Sequence, residues 1–190
     1  PKTPKPQIYE ISNLYIDRST EDYVGLFGYI SSTALMIEEF GVVSVDITGK
    51  QYVGGLVGYN ESDLTDFYSS GTVSGASSYV GGLIGANASL GTITSAYSTA
   101  TVIGSSNIVG GLIGHNLGTI TKSYATGVVS GVSSIGGLVG YNQSNIDNSY
   151  AQGSVTGSVN EVGGLMGYNS GSVTYSYATG AVSGVSSVGG

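Results

Sequence analysis

Between Ser123 and Gly131, one set of alternate positions reads Ser123, Ala125, Gly127, Val129 and Gly131, and the other reads Tyr124, Thr126, Val128 and Ser130. A period of two belongs to a β-strand, whose successive side chains point to opposite faces. The pattern returns along the chain. Its Val recurs at Val73, Val102, Val155 and Val182, whereas the counterparts of Thr126, Val128 and Ser130 drift between polar and apolar. A position that stays the same from unit to unit meets its own kind above and below, so the small-and-Val set is expected inside and Tyr124 outside. No apolar stripe with helical spacing lasts three turns. Thr33 to Phe40 comes nearest, and a helix is rejected there too.

A second pattern sets the scale. Val109-Gly-Gly-Leu-Ile-Gly-His-Asn116 recurs with small changes from Val53, Val80, Ile135 and Val162, and more weakly from Val24. Counted from the leading Val or Ile, and ending with Val188, the spacings are 29, 27, 29, 26, 27 and 26 residues. A unit this short cannot bury a core without its neighbours, so it must stack on copies of itself. Leu56, Leu83, Leu112, Leu138 and Leu165 are expected inside, and glycines two residues to either side of each let coil walls approach closely. Four residues after each Leu comes Asn60, Asn87, Asn116, Asn142 or Asn169, expected as a hydrogen-bonded ladder at a corner. Tolerance of a turn conformation explains the same asparagines and is compatible with a ladder.

The reading is all-β: a parallel β-solenoid (β-helix) of about six coils of 26 to 29 residues, each with about three short strands. At about 4.8 Å per coil, the rod is roughly 30 Å long, and right-handed, as parallel crossovers overwhelmingly are. All three prolines fall within Pro1 to Pro6, so residues 1–7 are expected to be a linker or tail, with order from Ile8. Residues 8–23 are expected to be a partial N-terminal coil containing the strand Ile11 to Ile16. Residues 24–190 then form the repeat array, which ends on the opening residues of another unit and reads as cut from something longer.

Gly54-Gly-Leu-Val-Gly58 and its later copies, each followed by Asn and then by strings such as Ser123-Tyr-Ala-Thr-Gly127, resemble the GLUG repeat of bacterial surface and secreted proteins. The resemblance covers residues 24 to 190. The first unit departs from it: Val24-Gly-Leu-Phe-Gly28 lacks one Gly, the corner Asn and the Tyr. Proteins with this repeat include adhesin-like proteins similar to filamentous haemagglutinin and the non-catalytic part of some immunoglobulin A-specific metalloproteases. The resemblance therefore implies an extracellular location, secreted or on the bacterial cell surface, and offers no catalytic residue.

Charge narrows the choice of partner. Only 9% of residues are charged, the net charge is −7, and residues 67 to 190 hold just Asp147, Glu161 and Lys122. Nucleic acid needs a stripe of cations and is excluded as a partner. Membrane insertion is excluded by the lack of an 18-residue apolar run. There is no Cys and a single His115, in the column otherwise filled by Tyr59, Ala86, Tyr141 and Tyr168, so neither a zinc site nor a Ser-His-Asp triad has its parts. His115 reads as a bland surface substitution.

Glu38 with Glu39, and Glu61 with Asp63 and Asp66, are the carboxylates that a carbohydrate-active β-helix would need. They fall in different columns without accompanying cations, and solvated corners or a weak calcium site describe them better. No catalytic residue, cofactor or metal is expected. Asn60, Asn87 and Asn142 begin Asn-x-Ser sequons, expected to be inaccessible. The row of Ser70, Thr99, Thr126 and Thr179 suggests ice binding, but Gln152 interrupts it.

The outward columns carry the functional expectation. Tyr68, Tyr97, Tyr124, Tyr150 and Tyr177 are expected to stack on one wall, and Val57, Ile84, Ile113, Val139 and Met166 to line another. Stacking stabilises a solenoid by itself, and an exposed aromatic and apolar stripe also marks a contact site. The expected partners are a host-surface protein, a glycan, or another copy of the chain along the apolar and Tyr walls. The reading is a non-enzymatic structural and adhesive segment of a larger protein, with an accessory segment of a secreted protease and a carbohydrate-binding or carbohydrate-active β-helix as alternatives.

Overall fold

The computed structural model describes residues 9–32 and 37–190. The linker expected over 1–7 and the onset expected at Ile8 lie outside them. So do residues 33–36 of the Thr33 to Phe40 passage, whose remainder opens the strand Ile37–Gly54. The described chain winds through about seven turns of parallel β-solenoid with no helix. One wall is a six-stranded sheet with a single strand from each coil, running from Phe27–Ile30 through Val57–Asn60, Ile84–Asn87, Ile113–Asn116 and Val139–Asn142 to Met166–Asn169. The other strands form a 21-stranded sheet around the rest of each turn.

Like residues pair with like. Val109 aligns with Val80 on one side and Ile135 on the other, and Val129 aligns with Val102 and Val155. Ile11 to Ile16 is divided between two strands, which pair with Phe40 to Val43 and with Asp46 onward. Leu56, Leu83, Leu112 and Leu138 are fully buried, as are Val73, Val102 and Val129. Each such side chain contributes about 1.5 to 3 kcal/mol by leaving water.

Two expectations are corrected. Each regular coil has more and shorter strands than three: one turn consists of Ile120–Thr121, Tyr124–Ala125, Val129–Gly131, Ile135–Gly136 and Val139–Asn142. Left-handed residues cause two of the breaks, at Lys122 (φ 50) and Ser134 (φ 53). Both recur as columns, one through Glu39, Asp66, Ser95, Asn148 and Tyr175, the other through Tyr23, Tyr52, Tyr79, Ile108, Glu161 and Ser187. Bulky L-residues avoid this region, and tolerance of it implies that stacking overrides a local cost of roughly 1 to 3 kcal/mol.

The second correction concerns Val57, Ile84, Ile113 and Val139, expected on an outer wall. All are fully buried, and Met166 packs partly buried against the same core. The chain bends between the strands at Gly-Leu, so alternation does not carry across it, and Leu112 and Ile113 both turn inward. Glycine makes the bend possible. A Cβ at Gly110 would lie 2.0 Å from the Ile113 carbonyl oxygen, and one at Gly111 2.0 Å from that of Gly137. This column therefore forms no exposed apolar wall, and of the two expected surfaces the Tyr wall is the one that faces outward.

Candidate functional site

Two buried polar ladders hold the corners. Asn60 Nδ2 donates to Asn87 Oδ1 (2.9 Å), and the same bond links Asn87 to Asn116 (3.0 Å), Asn116 to Asn142 (2.9 Å) and Asn142 to Asn169 (2.8 Å). Each amide also donates within its own turn, Asn116 to the Gly118 carbonyl (2.6 Å) and Asn142 to that of Ser144 (2.7 Å). Asn60, Asn87, Asn116 and Asn142 are at most 1% exposed, which seals the three sequons. In the first coil Ile30 occupies this column and the ladder stops.

The other ladder was not foreseen. After the left-handed residue of one corner, Ser123 Oγ donates to the Thr121 carbonyl (2.8 Å) and accepts from the Ala96 amide of the neighbouring coil (3.1 Å). Ser149 and Ser176 repeat the arrangement. Satisfied groups of this kind fix geometry and leave no reactive atom free.

The tyrosine row lies outside this framework. Tyr68, Tyr97, Tyr124, Tyr150 and Tyr177 stack in sequence with centroid separations of 5.1, 4.9, 4.9 and 5.3 Å and interplanar angles of at most 8°. In the preceding coil Gly41 aligns with Tyr68, and a Cβ there would sit 2.0 Å from the ring. Tyr68 leans into that space and donates from Oη to Glu10 (2.7 Å). Burial first and this bond second push its pKa up to about 12. Burial also raises Tyr97 and Tyr124.

Every inner ring has a neighbour on each face, so the row shows its edges and hydroxyls to solvent. Stacking a sugar flat on the inner rings is therefore unavailable. Beside the row run Thr65, Thr94, Thr121, Asp147 and Thr174 on one flank and Ser70, Thr99, Thr126, Gln152 and Thr179 on the other, all at least partly exposed.

A second aromatic stack changes columns, so no single column of the sequence shows it. Tyr23, Tyr52 and Tyr79 stack at 4.7 and 4.8 Å from the left-handed column, Tyr79 then stacks on His115 at 5.4 Å, and His115 meets Tyr141 edge-on at 5.4 Å. Tyr141 stacks on Tyr168 at 4.5 Å. The change occurs at Ala86, which leaves a gap in the column of Tyr59 and His115 and is itself only 3% exposed. His115 is thus a link in a continuous stack, with Nε2 3.0 Å from Gln143 Oε1. Tyr29 and Tyr59 pack edge-on against its start. A hydrogen bond to Glu61, aided by burial, pushes the Tyr29 pKa up to about 12.

The carboxylates do not gather into a site. Asp63 Oδ1 accepts from the Thr92 amide and Glu61 Oε2 from that of Ser32. Glu39 and Asp66 are left-handed corner residues. Among the described residues no three His, Cys, Asp or Glu side chains are placed to hold a metal ion.

A model of the GLUG motif matches residues 49–74, 76–103, 105–130 and 131–156, more than half of the chain. The chain belongs to the GLUG-motif family. The GLUG register continues past the matched segments: Asn160, Val162 and Gly163 pair with Ser186, Val188 and Gly189. Over 67 residues, 35% of its length, the GLUG chain is 40% identical to halomucin of Haloquadratum walsbyi, and it spans 1% of that protein. Its fold is similar to the crystal structure of a candidate immunoglobulin A1 protease from Bacteroides ovatus, with a TM-score of 0.72 and 23% identity over 96% of this chain and 67% of that one. At that identity the likeness is one of fold.

Proposed function

We propose that this GLUG solenoid is a non-enzymatic spacer and adhesive contact surface within a larger secreted or cell-surface protein. One observation carries the reading: five tyrosines, one per coil, stack into a continuous outward row on a framework in which, among the described residues, every buried side-chain nitrogen and oxygen has a hydrogen-bond partner. Tyr is suited to contact because it combines area with a hydroxyl and loses little conformational freedom. Membership of the GLUG family and the identity to a short stretch of halomucin support a repeat segment at or outside the cell surface.

The test is attachment. Beads coated with the chain are expected to adhere to cultured epithelial cells, and the variant Tyr124→Ser/Tyr150→Ser to adhere less. Because no buried donor is orphaned, Tyr124→Ser alone should cost only about 1 kcal/mol of stability and leave the β-sheet circular dichroism unchanged. Equal adhesion by the double variant would remove the Tyr row from the contact, and unfolding by the single substitution would assign it a core role. A second reading, an accessory segment of a secreted protease, draws on the name of the Bacteroides ovatus neighbour. Specific capture of immunoglobulin A1 by the chain would favour it.

A further inference from the structure

We propose that the tyrosine row and the hydroxyl rows beside it bind an extended, uncharged polysaccharide lying along the rod axis, a proposal that rests on the contact-surface reading above and names its ligand class. Charge is the first argument. In the coils of Tyr97, Tyr124, Tyr150 and Tyr177, the ionisable carboxylates and amines of the Tyr row, its two flanking rows and the adjoining left-handed corner are Lys122 and Asp147, while Glu10, Glu38, Glu39 and Asp66 gather at the Tyr68 end. Asp147 is already engaged, accepting from Thr174 Oγ1 and Asn148 Nδ2. A polyanion needs a line of cations and meets only Lys122, and a basic partner finds no line of acids. Complementarity selects an uncharged partner.

The hydrogen-bonding inventory is the second. Among the described residues the hydroxyls of Tyr97, Tyr124 and Tyr150 take no protein partner, in contrast to that of Tyr68. Each is both donor and acceptor, as are the hydroxyls of Thr99 and Thr126 on one flank. With ring faces covered by their neighbours, recognition falls to hydroxyls and ring edges, and the matching surface is itself dense in hydroxyls. Repetition is the third. Tyr edges recur every 4.9 to 5.3 Å along the axis, so a single small sugar meets one weak contact, whereas a polymer meets the row at several points and gains from their sum.

The test is affinity electrophoresis of the chain in gels cast with soluble neutral polysaccharides (a glucan, a mannan, a galactan and a xylan) or with anionic polygalacturonate. Retardation by at least one neutral polymer, little changed by salt, is expected. The variant Tyr124→Phe/Tyr150→Phe keeps both rings stacked and removes two hydroxyls, and should weaken that binding roughly tenfold. Retardation by polygalacturonate alone, by none of the neutral polymers, or equally in both forms of the chain would overturn the proposal. The bead assay separates the two readings. If Tyr124→Ser/Tyr150→Ser abolishes adhesion while no neutral polymer binds, the contact surface stands and its partner is not a neutral polysaccharide. If that variant adheres fully, the contact-surface reading fails with the polysaccharide.

Discussion

The corner asparagines and the outer tyrosines are equally regular: each repeats once per coil in five consecutive coils, and each contacts its own kind above and below. Their energetics are opposite. Asn116 is fully buried and each of its amide groups has a partner, so removing it strands groups on Asn87 and Asn142 that water cannot reach. Tyr124 is half-buried between two rings and leaves nothing unpaired when it goes. Repetition inside a solenoid is a demand of the fold, whereas repetition outside it is available for contact. Burial and hydrogen bonding separate the two.

The sharpest way to break this comparison is to put charge into the inner ladder. Asn116→Asp can still accept from Asn87 but cannot donate to Asn142 or Gly118, and it buries a carboxylate. A loss of about 3 to 5 kcal/mol is expected in urea unfolding at neutral pH; burial raises the folded carboxyl above the unfolded value of about 3.9, so the loss shrinks as pH falls through that raised value and levels off below about 4. Asn116→Ala removes the same bonds without adding charge. It should cost about 1 to 3 kcal/mol. An unchanged melting temperature in either variant would make the asparagine column no more than a tolerant turn.

How much of this was legible follows from the same physics. A column is readable when one chemistry suits every coil, as for Leu112, Val129, Asn116 and Tyr124, because the parallel register places each residue on its own copy. The corners obey no such rule. Left-handed backbone usually announces itself through Gly or Asn, yet here it occurs at Tyr79, Ile108, Lys122 and Glu161. Stacked hydrogen bonds impose the conformation on whatever side chain is present. That hid the extra strand breaks, whereas the inward turn of Ile113 was hidden by the bend at Gly-Leu, which parity counting carries straight across. Parity places Ser123 in the interior, but its pairing across coils depends on the left-handed residue before it. The second aromatic stack was hidden because Ala86 breaks its column and Tyr79, from another column, closes the gap.

Tyr79 sharpens the comparison from the outside. It bridges Tyr52 and His115 and stands beside an otherwise open Ala86, so it is an outer ring with a structural task. Both Tyr79 and Tyr124 lose two ring contacts on truncation, but Tyr79→Ala should also uncover Ala86, and so should cost about 1 to 2 kcal/mol, more than Tyr124→Ser. Equal costs for the two substitutions would mean that the stack does not change columns there.

The smallest effect expected is one of pH, at the end of the outer row. Tyr68 ionises near 10 in an unfolded chain, whereas burial and then the bond to Glu10 raise it to about 12 in the fold. Between those values the folded chain holds a proton that the unfolded chain has released. The contribution of Tyr68 is therefore complete below pH about 10 and lost as pH rises through about 12. Glu10→Gln removes the carboxylate's charge, weakens the bond and leaves burial, so in that variant the near-ultraviolet phenolate band of Tyr68 should appear at lower pH and stability should fall less steeply above pH about 10. Identical titrations in the two proteins would show that burial between stacked rings holds the proton by itself. The end of the row would then be governed by stacking alone, as its middle is.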